Sequence, residues 1–164
     1  MEIYLIRHAE AVTLGEGGVV DDASRPLTPA GETQAKQLGE GLTRRGIRFD
    51  IILTSPLVRA RQTAQGLVAH VDKPAPEVRH TDELAPGGKR RKLARTLKKL
   101  AKESIAVVGH QPDLGEFAGW LIGSKKAQLA MAKAGVARIH VEAEPGKGEG
   151  QLIWLVSLEW LQAS

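Results

Sequence analysis

Three short apolar runs constrain the fold of this chain more than any other feature: EIYLI at 2–6, DIILT at 50–54 and IAVVG at 105–109. Each is too brief for a helix, rich in β-branched residues and apolar at consecutive positions. That pattern marks a strand buried on both faces. Helix signals stand between them. After a loop over 9–27, with Gly15, Gly17, Gly18 and Pro26, Thr28-Pro29 supplies an N-cap and a first-turn proline. The helix it opens carries Ala35, Leu38 and Leu42 on one face and stops at Gly46. Its interior glycines, Gly39 and Gly41, weaken it by about 1 kcal/mol each relative to alanine. Ser55-Pro56 repeats the cap-and-proline start for a helix over 56–69, and Pro112 marks another that ends at Gly123.

Between these lie a proline-punctuated link, a weak strand at 77–79, Asp82-Glu83-Leu84, a turn at Pro86-Gly87-Gly88 and a basic helix over 89–102 with Leu93, Leu97 and Leu100 facing inward. The last third changes character. Residues 136–143 alternate with Ala137, Ile139 and Val141 on one face, and residues 151–160 do so with Leu152, Trp154, Val156, Leu158 and Trp160. A glycine-rich turn separates them, which predicts an antiparallel pair at the sheet edge. The expected fold is α/β: a single domain over 1–164, a three-layer α/β/α sandwich with a mostly parallel sheet and an antiparallel C-terminal edge.

In such sheets ligands bind beyond the carboxyl ends of the strands. The first buried strand ends in Arg7-His8, the second leads into Ser55-Pro56-Leu57-Val58-Arg59, and the third into His110-Gln111-Pro112. Two arginines and two histidines therefore meet at one rim, beside two helix N-termini with free N–H groups. Arginine's planar fork matches phosphate oxygens, and a neutral histidine can attack phosphorus. Arg59 in a first helical turn opposes the helix dipole, a conflict that an anionic ligand relieves. His140 reads as solvent-facing on its strand, His70 and His80 carry no assigned role, and Asp22 with Arg25 reads as a structural pair near the site. The three tryptophans read as core or edge anchors. The loop glycines lack the Gly-Lys-Ser/Thr ending of a phosphate-binding loop.

Arg7-His8-Ala9-Glu10, the run SPLVRARQTA at 55–64, Gly109-His110, Arg25–Gly31 and Glu83–Gly87 together resemble the histidine phosphatase superfamily, and within it the small bacterial SixA-like phosphohistidine phosphatases. The landmarks span residues 3 to about 123. The resemblance implies a phosphoglycerate mutase-like fold and no metal or other cofactor, with His8 as the phosphorylated nucleophile and Arg7, Arg59 and His110 as the phosphoryl-binding groups. Glu83 is the positional candidate for proton donor, with Asp82 second. The short span from 60 to 109 leaves no room for the helical insertions of larger members, implying an open site suited to a phosphorylated protein of the histidine-phosphotransfer type. Small phosphate monoesters are the alternative substrates, and a catalytically idle phospho-binding module the alternative class; an intact His8 speaks against the latter. Family members more often carry glycine where Ala9 stands.

Residues 89–102 hold eight of the 23 Lys and Arg residues and no acid, leaving 15 basic against 19 acidic groups elsewhere. The formal charge of +4 thus belongs to one segment. A solvated helix face is its plain reading, docking to an acidic protein the second; nucleic acid ranks third because no aromatic residues interleave for stacking. Without cysteine, disulfides and thiolate chemistry are excluded. No apolar stretch approaches the roughly 20 residues of a membrane span, and Met1-Glu2 does not begin a signal peptide, so a cytoplasmic location without membrane partners is expected.

Overall fold

Alternate residues of the three apolar runs face opposite sides of one sheet, and each side has its own core. The protein, seen in a computed structural model, is described for residues 1–69, 71, 74–127 and 129–163. His70 therefore lies outside the described residues. The chain runs β1 (Glu2–Arg7), α1 (Pro29–Arg44), β2 (Ile51–Thr54), α2 (Val58–Val68), β3 (Glu77–His80), a 3-10 turn at Asp82–Leu84, α3 (Arg90–Leu100), β4 (Ser104–Gly109), α4 (Asp113–Leu121), β5 (Val136–Val141), β6 (Gly150–Val156) and α5 (Leu158–Gln162). The strand order is β3-β2-β4-β1-β5-β6. The first four strands pair in parallel; β5 and β6 are antiparallel. The expected sandwich is observed.

On one face Ile3, Leu5, Leu53 and Val107 pack against Leu93 and Leu97 of α3 and Leu114 and Phe117 of α4. On the other, Tyr4, Ile6, Ile52 and Val108 pack against Leu38 and Leu42 of α1, Ala60 and Leu67 of α2, and Leu158 and Leu161 of α5. Burial on both faces explains why these strands read as unbroken apolar runs.

Several boundaries differ from expectation. The helix expected over 56–69 begins at Val58, because the Ser55 hydroxyl is not a helix cap: Leu57 occupies the N-cap without a side-chain bond. The alternation over 151–160 breaks at Ser157. The chain turns there into α5, which buries Leu158 and Leu161 and leaves Trp160 62% exposed. Apolar residues at 158 and 161 fit a helix face as well as residues 158 and 160 fit a strand. β3 is an edge strand with all four residues exposed, hence its weak signal. The basic helix ends at Ala101, which adopts a left-handed conformation. His140 is solvent-facing but not idle, since its Nδ1 lies 2.6 Å from Glu2.

The helix-weakening glycines have a packing cause at one position. α1 and α2 cross so closely that a Cβ on Gly39 would stand 2.6 Å from the Leu67 carbonyl oxygen, whereas one on Gly41 would meet Leu161 Cβ at an ordinary 3.5 Å. Gly39→Ala is therefore expected to destabilise the protein by about 1–2 kcal/mol despite better helix propensity. Gly41→Ala should be neutral or stabilise by up to about 1 kcal/mol. Urea denaturation of both variants checks this; shifts of the same sign would refute the close-approach account.

Candidate active site

The parallel ladder brings three strand ends level. Arg7 pairs with Gly109 and Thr54 with Val108. The pairing then continues one residue beyond: His8 N–H donates to Gly109 O at 3.0 Å, and Ser55 N–H to Val108 O at 2.9 Å. Residues 8, 55 and 110 leave the sheet from one rim, and Arg59 comes next as the second residue of α2. Among the described residues the buried polar or charged side chains are His8, Thr54, Ser55, Arg59, Thr63 and His110. All lie at this rim or on the helix beside it. Buried polar groups need partners, so their concentration marks the place where the fold departs from apolar packing.

His8 is the best-defined member. Its Nδ1 lies 2.7 Å from the carbonyl oxygen of Ala9. A carbonyl only accepts, so Nδ1 carries the proton and Nε2 keeps its lone pair in the neutral ring. Burial pulls the ring down from 6.5 to about 4, partly opposed by the Ala9 bond and reinforced by the charges of Arg59, Arg7 and Arg25. At neutral pH the imidazole is unprotonated and nucleophilic. The Ala9 peptide is itself held: its N–H donates to Thr63 Oγ1 at 3.0 Å, and Thr63 donates to the Arg59 carbonyl at 2.7 Å. Ala9 stands outside the left-handed region, so its position does not require glycine.

His110 faces His8 with ring centroids 5.2 Å apart. Its Nε2 lies 2.8 Å from Ser55 Oγ, which also accepts from Leu57 N–H. Burial, followed by the Arg59 charge, lowers its pKa to about 3. Arg7 donates to Met131 O at 2.8 Å. Arg59 donates to the carbonyl and the carboxylate of Asp22 at 2.7 and 3.0 Å. Asp22 also takes Arg25 at 2.9 Å, the pair expected from sequence; the Arg25 bond is the largest cause holding its carboxyl below the usual range. Asp22 thus supplies the anion that a first-turn arginine calls for. The buried side-chain nitrogens without a partner among the described residues are Arg7 Nε, Arg59 Nε and His110 Nδ1, all from this cluster.

Arg7, His8, Arg59 and His110 line one open cleft of about 440 Å³, together with Asp22, Arg25, Asp113, Lys133 and the Pro86-Gly87 turn. Glu83 is not brought into it. It lines a neighbouring recess of about 20 Å³ that shares His110 and Asp113. Its carboxylate accepts from the Thr81 hydroxyl, the largest cause lowering its pKa. Asp82 is exposed. Among the described residues no group of three or more His, Asp or Glu side chains is placed to hold a metal ion, and no helix is long and apolar enough to cross a membrane.

Ser55, expected as a helix cap, and Thr63, which has no role expected from sequence, use their hydroxyls to position His110 and the Ala9 peptide. Glu10 and Gly31 are likewise structural. Thr28 Oγ1, which caps α1 by accepting from Gly31 N–H, donates to Glu10 Oε1 at 2.8 Å. A Cβ on Gly31 would lie 1.9 Å from the Glu10 carbonyl oxygen. The Leu27–Gly31 stretch thus clamps the segment after His8 against the start of α1.

Comparison with known proteins agrees with this geometry. A profile of the histidine phosphatase superfamily (branch 1) matches residues 3–147. An uncharacterized protein of Picosynechococcus sp. is 37% identical over 98% of this chain and 99% of its own length. The mitochondrial serine/threonine-protein phosphatase Pgam5 of Drosophila virilis is 34% identical over 85 residues, 52% of this chain and 28% of its own. In three dimensions the protein histidine phosphatase SixA, solved with tungstate, superposes with a TM-score of 0.85 at 23% identity, covering 98% of this chain and 99% of that one. A putative alpha-ribazole-5'-P phosphatase from Escherichia coli gives 0.72 at 23% identity over 96% and 98%. The chain belongs to branch 1 of the histidine phosphatase superfamily, and it is a phosphatase.

Proposed function

We propose that this protein hydrolyses phosphohistidine on a protein substrate, through a covalent phosphoryl-His8 intermediate. The observation that carries the reading is the state of His8: a neutral ring with its proton committed to Ala9 O, and Nε2 left as the free nucleophile among cationic groups. In the first step Nε2 attacks phosphorus, the P–N bond to a substrate imidazole protonated at its other ring nitrogen breaks, and that bond's electron pair leaves with the now neutral imidazole. Arg7, Arg59 and His110 hold the equatorial oxygens during transfer. Water then attacks phosphoryl-His8, releasing inorganic phosphate and restoring His8.

The leaving group decides between substrate classes. An alkoxide needs a strong general acid, whereas an imidazole with an ordinary pKa of about 6.5 takes up a proton readily. Of the described carboxylates near the site, Glu83 is tied to Thr81 and kept ionised, Asp22 is held by two arginines, and Asp113 accepts from Gly87 N–H. Neither Glu83 nor Asp22 is a poised acid. Open access to the cleft and the Pgam5 match support a protein as the carrier. Small phosphate monoesters remain the competing substrates, since relatives named for such substrates share the fold.

A brief pulse of a labelled phosphodonor should leave label on the protein that survives alkali and is lost in acid, and His8→Ala should carry none. Label on the alanine variant would exclude His8 as the acceptor. Glu83→Gln should reduce phosphohistidine hydrolysis by less than about threefold; abolition there, with an alkyl phosphate spared, would reverse the leaving-group argument.

The depressed histidines also predict a stability profile. Between about pH 6.5 and 4, the unfolded chain takes up protons at positions 8 and 110 that the folded chain refuses. Their contribution to stability is complete above 6.5 and declines as pH falls through that window, by up to about 1.4 kcal/mol per pH unit for each ring. Urea melts should show a shallower acid-side slope in His8→Asn than in the wild type. Equal slopes would mean that His8 is not held neutral.

A further inference from the structure

A second concavity, larger than the cleft, lies beside it. A groove of about 1100 Å³ runs between the N-terminal half of α3 and the segment after α4. Lys89, Arg90, Arg91, Lys92 and Arg95 form one wall. Lys125, Lys126 and Lys147 stand on the other. Trp120 and Phe117, stacked at 6.0 Å with planes 19° apart, lie along it. Asp113 lines both the groove and the catalytic cleft, and its bond to Gly87 N–H at 2.9 Å fixes the turn between them. A chain lying in the groove thus has a short path to His8.

The charge there has no internal explanation. Eight cationic side chains face two carboxylates, Asp113 and Glu116. None of the eight has a carboxylate within 4 Å among the described residues, whereas Lys98, farther along the same helix, pairs with Glu144 at 2.6 Å. Arg90, Arg91 and Lys92 also occupy the first turn of α3, which has no acidic residue and no side-chain cap. Positive groups at that end oppose the helix dipole and destabilise the helix. Mutual repulsion along the wall adds to this cost. Such an arrangement is relieved by an external anion.

The occupant can be narrowed by chemistry. The cations are exposed side chains spread along an open groove larger than the catalytic cleft, which suits an extended polyanion better than one small ion. A nucleic acid would want aromatic platforms, but the indole of Trp120 is half-buried and stacked on Phe117. Two carboxylates in the groove would also repel a continuous phosphate backbone. A polypeptide tolerates both. We infer that the groove between α3 and α4 docks an acidic segment of the phosphoprotein substrate and so presents the phosphorylated side chain to His8. The inference rests on the phosphoprotein reading above and adds the recognition surface. Exposed charge pairs of this kind act mainly through encounter and dissociation rather than through the chemical step.

The test uses two short phosphohistidine peptides, identical except that one has Asp and Glu around the histidine and the other Asn and Gln. The intact wild-type protein should process the acidic peptide with a kcat/KM at least about tenfold higher at about 20 mM salt, through KM and not kcat; most of the advantage should vanish at about 300 mM. Arg91→Glu/Arg95→Glu should remove the preference while leaving the neutral peptide's turnover unchanged, which also shows that the variant folds. Lys99→Glu/Lys102→Glu, with the same change in net charge but outside the groove, should keep most of it. Equal rates for the two peptides in the wild type would overturn the docking surface and leave the phosphatase reading intact. If neither peptide is hydrolysed, the phosphohistidine reading fails. Docking is then judged by fluorescence anisotropy with the unphosphorylated acidic peptide: groove-dependent binding upholds it, and its absence overturns it. Tighter groove-dependent binding of a single-stranded oligonucleotide than of the acidic peptide would assign the groove to nucleic acid and overturn the proposal.

Discussion

The level ending of β1, β4 and β2 is the constraint on which the cleft depends. Parallel strands in register end together only if their ladders begin together, and here Ile3, Ile105 and Ile51 stand side by side. From that row each strand needs only a few more residues to reach the rim. The ladder then holds one residue past each end, through His8 N–H to Gly109 O and Ser55 N–H to Val108 O. A shift of one residue in β1 would turn every side chain to the opposite face, taking Ile3 and Leu5 out of one core and aiming His8 away from His110. The same apolar alternation that builds two cores therefore fixes the aim of His8.

Holding this cleft has a thermodynamic cost. Among the described residues three buried side-chain nitrogens lack partners, two imidazoles are kept neutral far below their ordinary pKa, and Arg59 is 4% exposed on the first turn of a helix. Each such feature opposes stability. The balancing groups are specific: Asp22 neutralises Arg59 and Arg25, Ser55 takes one nitrogen of His110, and Thr63 couples the Ala9 peptide to the backbone of α2. The arrangement is rigid without being enclosed, as phosphoryl transfer asks: placement and neutralisation of charge dominate, and little covalent chemistry is left to the protein.

The three buried strands were legible in the sequence because burial on both faces leaves an apolar run that nothing else in a short segment imitates. The helix beginning at Thr28-Pro29 was legible because its cap bond is local. Ser55-Pro56 carries the same kind of signal with a different outcome. A long-range partner, His110, uses the serine hydroxyl, and no local rule reports a contact across 55 residues. α5 was hidden for another reason: a strand of alternating apolar residues and a short helix with apolar residues at 158 and 161 share their first position, and only the α1 surface decides between them. Asp22 was paired with Arg25 by proximity, but its grip on Arg59 depends on the path of the loop. Glu83 shows the opposite limit. Its place in the chain makes it a positional candidate for proton donor, but it lies outside the cleft and its carboxylate accepts from a neighbouring threonine.

Charge divides the surface around the cleft into two functions with different physics. Inside, the cations are few and largely buried, and they meet fixed partners at hydrogen-bond distance; there a phosphoryl group is recognised by geometry. Along the groove they are many and exposed, with no carboxylate within 4 Å among the described residues, and they act over the distance that salt leaves unscreened, about 10 Å at moderate ionic strength. A chain carrying +4 overall would attract any anion weakly, but eight of its cations sit on one helix segment while the remainder is net acidic. On the proposed docking, an acidic partner is not merely drawn in but turned, since the cationic groove attracts it from one side. Orientation is what an open site without a lid lacks. A lid positions a small substrate by enclosure; a substrate too large to enclose is positioned from outside, and the cationic groove proposed for that task shares Asp113 with His8's cleft.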